Sequence, residues 1–372
     1  MQKDIEYFLN QYKNVIFQAG NEAECWKVII GALQAEDYID QKDLDFLWEL
    51  LLEEDCEIIS DKHPMTNESK ESTVMETLRQ LLAAREDYQK AVLMEAEEHG
   101  KDTRISTMEK EVYHFHEEET VIPFFENTRK YHVLFNMYKG KYDRLWNSFK
   151  DKVQYRKYSK DSSLAGDHYC YSPIEDLLYS NVQRPGLSKK EPEDIMGWVE
   201  YDYDADGRLI MQKHYASVSS IEFLLYTGEW IINLKYAVNK RLRKIILRKY
   251  EGDRILRYER ASIIEMQPPL PEMCYNFWQE IYQYSEQERL EKAVTEDFYF
   301  WGRNEFPPVQ LTKEVIIFKC DEEGCLTAFL SQIYDNKVVG RRPPCWMEVS
   351  ERKRKSTKKT RGRWRRPNYF VR

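Results

Sequence analysis

Tyr201–Ile210 reads YDYDADGRLI, and the choice between its two readings decides the fold of everything around it. Asp202, Asp204 and Asp206 stand at every second position with Gly207 directly after. A calcium loop of the EF-hand kind begins this way, and so does a two-stranded hairpin. The EF-hand loop takes oxygen ligands from its first, third, fifth and seventh residues, glycine at the sixth and a bidentate Glu at the twelfth. Counted from Asp202, the twelfth residue is Lys213, a cation where the ion requires a carboxylate. The flanks also alternate: Val199, Tyr201 and Tyr203 share one face, and Leu209, Met211 and Tyr215 resume a face after DADG, whereas an EF-hand loop sits between amphipathic helices. The stretch therefore reads as a hairpin, with Gly207 supplying the positive φ of the corner. A weaker cation site on the three aspartates alone stays open.

Turn signals recur downstream in YTGEWII (226–232), YAVNKRL (236–242) and YEGDRIL (250–256), and the first and last share the form Tyr-x-Gly-acid-x-Ile-aliphatic. Together they predict a meander of hairpins over 186–266. YDYDADGRLI, and more loosely YEGDRIL and YDNKVVG near Tyr334, resembles the Tyr-Asp repeats of the rearrangement-hotspot type, over roughly Gly197–Met266. In that family such repeats build a β-shell, so the resemblance implies hairpins and no chemistry of its own.

Upstream the period changes. Ile5, Phe8, Leu9, Tyr12, Val15 and Ile16 lie three and four apart, as do Leu44, Leu47, Trp48, Leu51 and Leu52, and Cys25–Leu33 reads as a short helix between them. Thr73 and Glu76 have capping-box spacing and open a long apolar stripe that ends at Gly100. Val112–Phe115 and Val121–Phe125 read as strands, and Tyr131–Phe149 as a helix interrupted at Gly140. SNVQRPGLSKKEPED places a domain boundary near Pro185. After QPPLPE, the spacing of Tyr275, Trp278, Ile281 and Tyr282 predicts a helix over Glu272–Val294, and Val315–Lys319 and Leu326–Tyr334 read as strands around CDEEGC. The expected class is α+β: a mainly helical domain over 1–185, an antiparallel β-hairpin meander over 186–266, a helix plus hairpins over 267–350, and a basic tail over 351–372.

The 372 residues, 42% of them hydrophobic, suffice for two or three domains with a real core. Seven scattered cysteines do not form a secreted disulfide framework, and no segment has the length of a membrane span or the pattern of a secretory signal; a cytoplasmic protein is expected. The net charge of −8 conceals a division: 351–372 holds eleven Lys and Arg against one Glu, a local +10, which leaves −18 for the rest.

Glycine-rich phosphate loops, GKS/GKT, HExxH and GxSxG are all missing, which weighs against an enzyme and offers no cofactor site. His114 and His116, on one side of a strand beside Glu117–Glu119, have the spacing of metal ligands, and a solvated strand edge explains them as well. Cys320 and Cys325 flank a turn with Cys345 beyond, short of four zinc ligands unless Cys274 joins them; His168 and Cys170 lie too close in sequence to make a dyad by that fact alone. The basic tail carries the functional expectation. Arg352, Lys353, Arg354, Lys355, Lys358, Lys359, Arg361, Arg363, Arg365 and Arg366 would neutralise phosphates while Trp364 stacks on bases. The expected function is a non-catalytic binding protein whose tail contacts nucleic acid, a ribonucleoprotein or another polyanion, with a protein partner on the aromatic sheet or the helices. An immunity-type antagonist of a basic protein and a metal-assisted hydrolase are the alternatives.

Overall fold

The computed structural model describes residues 18–19, 21–35, 41–52, 130–160, 174, 186–215, 219–252, 254–263, 275–300, 309–321, 326–335 and 346–348. The chain forms two compact units, one of Met1–Lys141, Ile263–Asn276 and Phe298–Gln310, the other of Tyr142–Ser262, Phe277–Asp297 and Leu311–Arg372. The class is α+β, with N-terminal helices followed by an antiparallel meander.

In the first unit, α1 (Glu22–Ala35) and α2 (Gln41–Leu52) form from the periodic apolar stripes. Asn21 caps α1: its Oδ1 accepts the Glu24 N–H at 2.9 Å, satisfying one of the donors that a helix start leaves unpaired. Trp26, Ile29, Ile30 and Leu33 of α1 and Leu44, Leu47 and Leu50 of α2 are buried. A third helix, α3, covers 130–138, and its Lys130 is buried against Asp43 of α2 at 2.8 Å. Gly140, at φ 78°, ends the helical path before α4 (Tyr142–Lys150) begins, as the interruption read from the sequence requires. The helix expected from Thr73 to Gly100 and the strands expected at 112–115 and 121–125 lie outside the described residues.

The second unit is built on a twelve-stranded sheet in which each strand lies beside its neighbours in sequence: β1 (Tyr155–Lys160), β2 (Trp198–Tyr203), β3 (Leu209–Tyr215), β4 (Ser220–Thr227), β5 (Trp230–Ala237), β6 (Leu242–Glu251), β7 (Arg254–Ile263), β8 (Tyr275–Tyr284), β9 (Leu290–Phe300), β10 (Val309–Cys320), β11 (Leu326–Asp335) and β12 (Trp346–Glu348). The sheet is wider than the hairpins expected at 186–266. β1 opens it from before Pro185, and β8–β12 extend it. The strands expected at 315–319 and 326–334 are β10 and β11.

The helix expected over Glu272–Val294 is corrected: residues 275–284 and 290–300 are strands β8 and β9. Tyr275, Trp278, Ile281 and Tyr282 match helical spacing by coincidence. YNFWQEIYQY is rich in the aromatic residues that suit a pleated surface, and the tertiary context of the sheet decides the outcome.

Three connections share one geometry. At Asp204–Arg208, Ala237–Arg241 and Ser285–Arg289, the first residue's N–H donates to the fifth residue's carbonyl at 3.0, 3.0 and 2.8 Å, and the fourth residue's N–H donates to the first residue's carbonyl at 3.1, 2.8 and 2.9 Å. The fourth residue has positive φ each time: Gly207 at 76°, Lys240 at 62° and Glu288 at 61°. This is the three-residue hairpin with a bulge after the turn. Tyr precedes and Arg-Leu follows in all three, as Tyr203…Arg208-Leu209, Tyr236…Arg241-Leu242 and Tyr284…Arg289-Leu290. The β4–β5 and β6–β7 connections are two residues long, with Gly228 (φ 50°) and Gly252 (φ 58°) in the first position.

Register fixes which residues share a face. Helix α4 packs on the side that carries Phe223, Leu234 and Tyr236; its Tyr142 meets Phe223 and Tyr236 edge-on at 5.8 and 5.6 Å, and Phe149 meets Phe223 at 5.7 Å. On the opposite side, Tyr201, Tyr203, Leu224, Ile231, Ile246, Tyr258 and Tyr282 belong to a second apolar cluster. Among the described residues no helix is long and apolar enough to cross a membrane.

Candidate functional site

The tail residues Arg352–Arg366 with Trp364 lie outside the described residues, as do His114, His116, His168, Cys170, Cys274, Cys325 and Cys345. Cys320 is half-buried, with its thiol directed at Leu290 O at 3.8 Å. The aspartates of YDYDADGRLI are each matched to cations of the sheet. Asp202 meets Arg156 Nε at 3.1 Å and Lys213 Nζ at 2.7 Å, Asp204 accepts from the Arg208 N–H and Nε at 2.8 and 2.9 Å, and Asp206 meets Arg208 Nη2 at 3.0 Å. Among the described residues, no group of three or more His, Cys, Asp and Glu could hold a metal ion.

Two polar clusters emerge from the register, one on each face. The first lies on the α4 face, where β1, β2 and β3 each contribute two residues: Arg156 and Tyr158, Glu200 and Asp202, Lys213 and Tyr215. Lys213 bridges the two carboxylates, at 2.6 Å to Glu200 and 2.7 Å to Asp202, and its ammonium lies 5.4 Å from the Trp146 ring of α4. Arg156 Nε reaches both acids at 3.2 and 3.1 Å, and Tyr215 donates its hydroxyl to Glu200 at 3.1 Å.

Their environments push them apart. Burial raises Glu200, but the bond and charge of Lys213, with bonds from Asp202 and Tyr215, outweigh it and hold its pKa below the ordinary carboxylate value. Burial dominates at Asp202, and the neighbouring Glu200 adds to it, so its pKa is raised despite Lys213. Burial, then the Glu200 charge, pushes the Tyr215 hydroxyl well up. Only Arg156 is substantially exposed, so the cluster is closed and its charges are internally matched.

The second cluster crosses β3–β7 on the opposite face as a row: Gln212 beside Glu222, Glu222 beside Lys235, Lys235 beside Lys244, and Lys244 beside Ser262. Glu222 is fully buried and lies 2.7 Å from Lys235 Nζ and 3.5 Å from His214 Nε2, and it accepts a hydrogen bond from Asn233 Nδ2 at 3.3 Å. Burial opposes its charge, yet Lys235 and His214 outweigh that and hold its carboxyl far below the usual range. Gln212 bonds the His214 ring nitrogen at 3.1 Å through Nε2, and Arg248 reaches Asn233 at 2.9 Å. Arg260 lies over the Trp278 ring at 5.7 Å, and Trp278 in turn donates to Glu280 at 2.7 Å.

Neither cluster was anticipated from the sequence. Two signals were there: charged residues at positions where the alternation buries them, as in WVEYDY and IEFLLYT, and a dense run of cations from Lys235 to Arg260. No protein-family model matches the chain, and no curated protein matches it in sequence.

Proposed function

We propose that the chain is a non-catalytic, cytoplasmic binding protein in which the sheet is the scaffold and the basic segment 351–372 contacts nucleic acid. The observation that carries this reading is the segregation of charge, +10 in 351–372 against −18 elsewhere. The buried carboxylates of the described sheet support it from the other side. Glu200, Asp202 and Glu222 already have cations within the sheet, so none of these three needs the tail as a counter-charge. A dense cationic segment with Trp364, Tyr369 and Phe370 has the chemistry to neutralise phosphates and stack on bases, at a few kcal/mol or less per base, about 1–3.

The test compares the full chain with a variant carrying Gln at Arg352, Lys353, Arg354, Lys355, Lys358 and Lys359, both titrated with mixed RNA and DNA across a salt series. The expected result is binding whose logarithm falls linearly with log salt, by roughly 0.7 for each single-stranded phosphate neutralised, and which the variant loses in large part. Equal binding by the two proteins, or a salt-independent affinity, refutes the proposal. Retention by both of a co-purifying basic protein, with no nucleic-acid binding, identifies the antagonist function instead.

A further inference from the structure

At the first edge of the sheet two lysines face each other with no acid between them. Tyr158 on β1 and Ser188 exchange both backbone hydrogen bonds at 2.8 Å, an antiparallel bridge whose next opposed pair is Lys157 and Lys189. The backbone that carries Lys189 is held in place. The Ser188 hydroxyl accepts from the Lys190 N–H at 3.0 Å and donates to the Lys190 carbonyl at 3.1 Å, and Leu187 packs on the apolar cluster. Like charges directly opposite in such a pair destabilise it. Lys157 is 8% exposed, and its ammonium lies 5.1 Å from the Tyr203 ring and 6.0 Å from the Tyr155 ring, which stack on each other at 4.8 Å. Ring faces offset part of the cost of taking an ammonium out of water, but they leave its N–H donors unmatched. Burial, then the Lys189 charge, lowers the Lys157 pKa, and no acid opposes them. Among the described residues, neither Lys157 nor Lys189 makes a side-chain hydrogen bond or an ion pair.

We propose that Lys157 and Lys189 form a binding site for a phosphate group, free or as a monoester, at the β1 edge of the sheet. A dianion between the two ammonium groups supplies the acceptor oxygens that both lack and turns their mutual repulsion into attraction to one partner. Phosphate suits a pair of lysines, each a compact point charge, whereas a planar carboxylate is matched better by the fork of an arginine. The approach runs along the sheet edge, where Lys189 is exposed and Tyr155 and Leu187 are half-buried, outside the apolar cluster that contains Tyr201 and Tyr203. Asp204, whose charge acts on Tyr155, is already bonded to Arg208. The site is independent of the basic tail and of its nucleic-acid reading.

The experiment titrates the full chain with inorganic phosphate, thymidine 5′-monophosphate and thymidine by calorimetry at constant ionic strength. Five proteins are compared: unsubstituted, Lys157→Met, Lys189→Gln, Lys190→Gln and the six-Gln tail variant. The expected result is saturable binding of one phosphate per chain, weakened about tenfold by Lys157→Met and by Lys189→Gln and kept by Lys190→Gln and by the tail variant. Without phosphate, Lys189→Gln is expected to unfold at the same or a higher temperature, because removing one of two opposed charges relieves their repulsion. If Lys157→Met does not fold, Lys189→Gln, at an exposed position, decides the matter. Absence of saturable phosphate binding by the unsubstituted chain, or unchanged binding in Lys189→Gln, overturns the inference. Equal weakening by Lys190→Gln overturns it in favour of diffuse attraction to surface cations, and loss of binding in the tail variant overturns it in favour of the tail. A lower unfolding temperature in Lys189→Gln overturns the repulsion from which the site is argued. Tighter binding of the monophosphate than of the free ion, with thymidine silent, supports the site with a monoester as its ligand; binding of the free ion alone supports it with inorganic phosphate.

Discussion

The shared geometry of three hairpins makes a reciprocal prediction. Gly207, Lys240 and Glu288 all occupy the left-handed position of the same turn, and only the first is glycine. A side chain there costs about 1–2 kcal/mol of backbone strain, offset by about 0.4–1 kcal/mol because a non-glycine residue has less freedom to lose on folding. Gly207→Ala should therefore destabilise the sheet unit by roughly 0.5–1.5 kcal/mol, and Glu288→Gly should stabilise it by a similar amount. The side chain lost in the second variant subtracts little, since Glu288 is exposed and stands 3.9 Å from Arg254. With a urea m-value of about 2 kcal/mol/M, each change moves the unfolding midpoint by about 0.5 M, in opposite directions, at constant m. Equilibrium unfolding followed by tryptophan fluorescence measures both. A drop in midpoint for Glu288→Gly, or no change for Gly207→Ala, refutes the claim that the three turns carry the same conformational demand.

The carboxyl pair predicts opposite pH responses. Asp202, raised in the fold, contributes stability that is complete below the ordinary Asp value and is lost as pH rises through its raised pKa; Glu200, lowered, contributes stability that is present above the ordinary Glu value and is lost as pH falls through its lowered pKa. In urea midpoints measured against pH, Asp202→Asn should remove the decline on the alkaline side, while Glu200→Gln should remove the acid-side decline and cost about 2–3 kcal/mol at neutral pH by leaving Lys213 short of a charged partner. The reverse order of the two variants refutes the opposite directions of the two shifts. Phe223→Ala, at the centre of the ring contacts between the sheet and α4, should cost about 3–5 kcal/mol, measured by the same unfolding assay.

What the sequence discloses depends on whether a signal is local. Gly207 after DAD, Gly228 in YTGEW and Gly252 in YEGDR are turn chemistry within a few residues, and the hairpins follow from them. Gly140 marks the helix break for the same reason. Ser285–Arg289 has no glycine, so SEQE gave no punctuation, and the aromatics before it fell by chance at helical spacing. The Tyr-x-x-x-x-Arg-Leu frame shared with Tyr203 and Tyr236 was the available signal there. The polar clusters are harder to read, because Arg156 and Asp202 lie 46 residues apart in sequence, and only register brings them together.

The carboxyl cluster has a structural explanation. Burying an ion pair is seldom the most stable choice, and a well-packed apolar replacement is commonly neutral or better. Glu200, Asp202, Lys213 and Arg156 nonetheless form a closed set, two acids with two cations, in which each charge has its partner within hydrogen-bonding distance. Such a set fixes the alignment of β1 on β2 and β3, since a one-residue slip would move every member to the other face. The row on the opposite face holds Glu222, buried and 2.7 Å from Lys235. Lys235 and Lys244 are neighbours by register, and like charges directly opposite weaken an antiparallel pair, a cost that the Glu222 carboxylate beside Lys235 offsets. A matched cluster is explained by the fold it holds together.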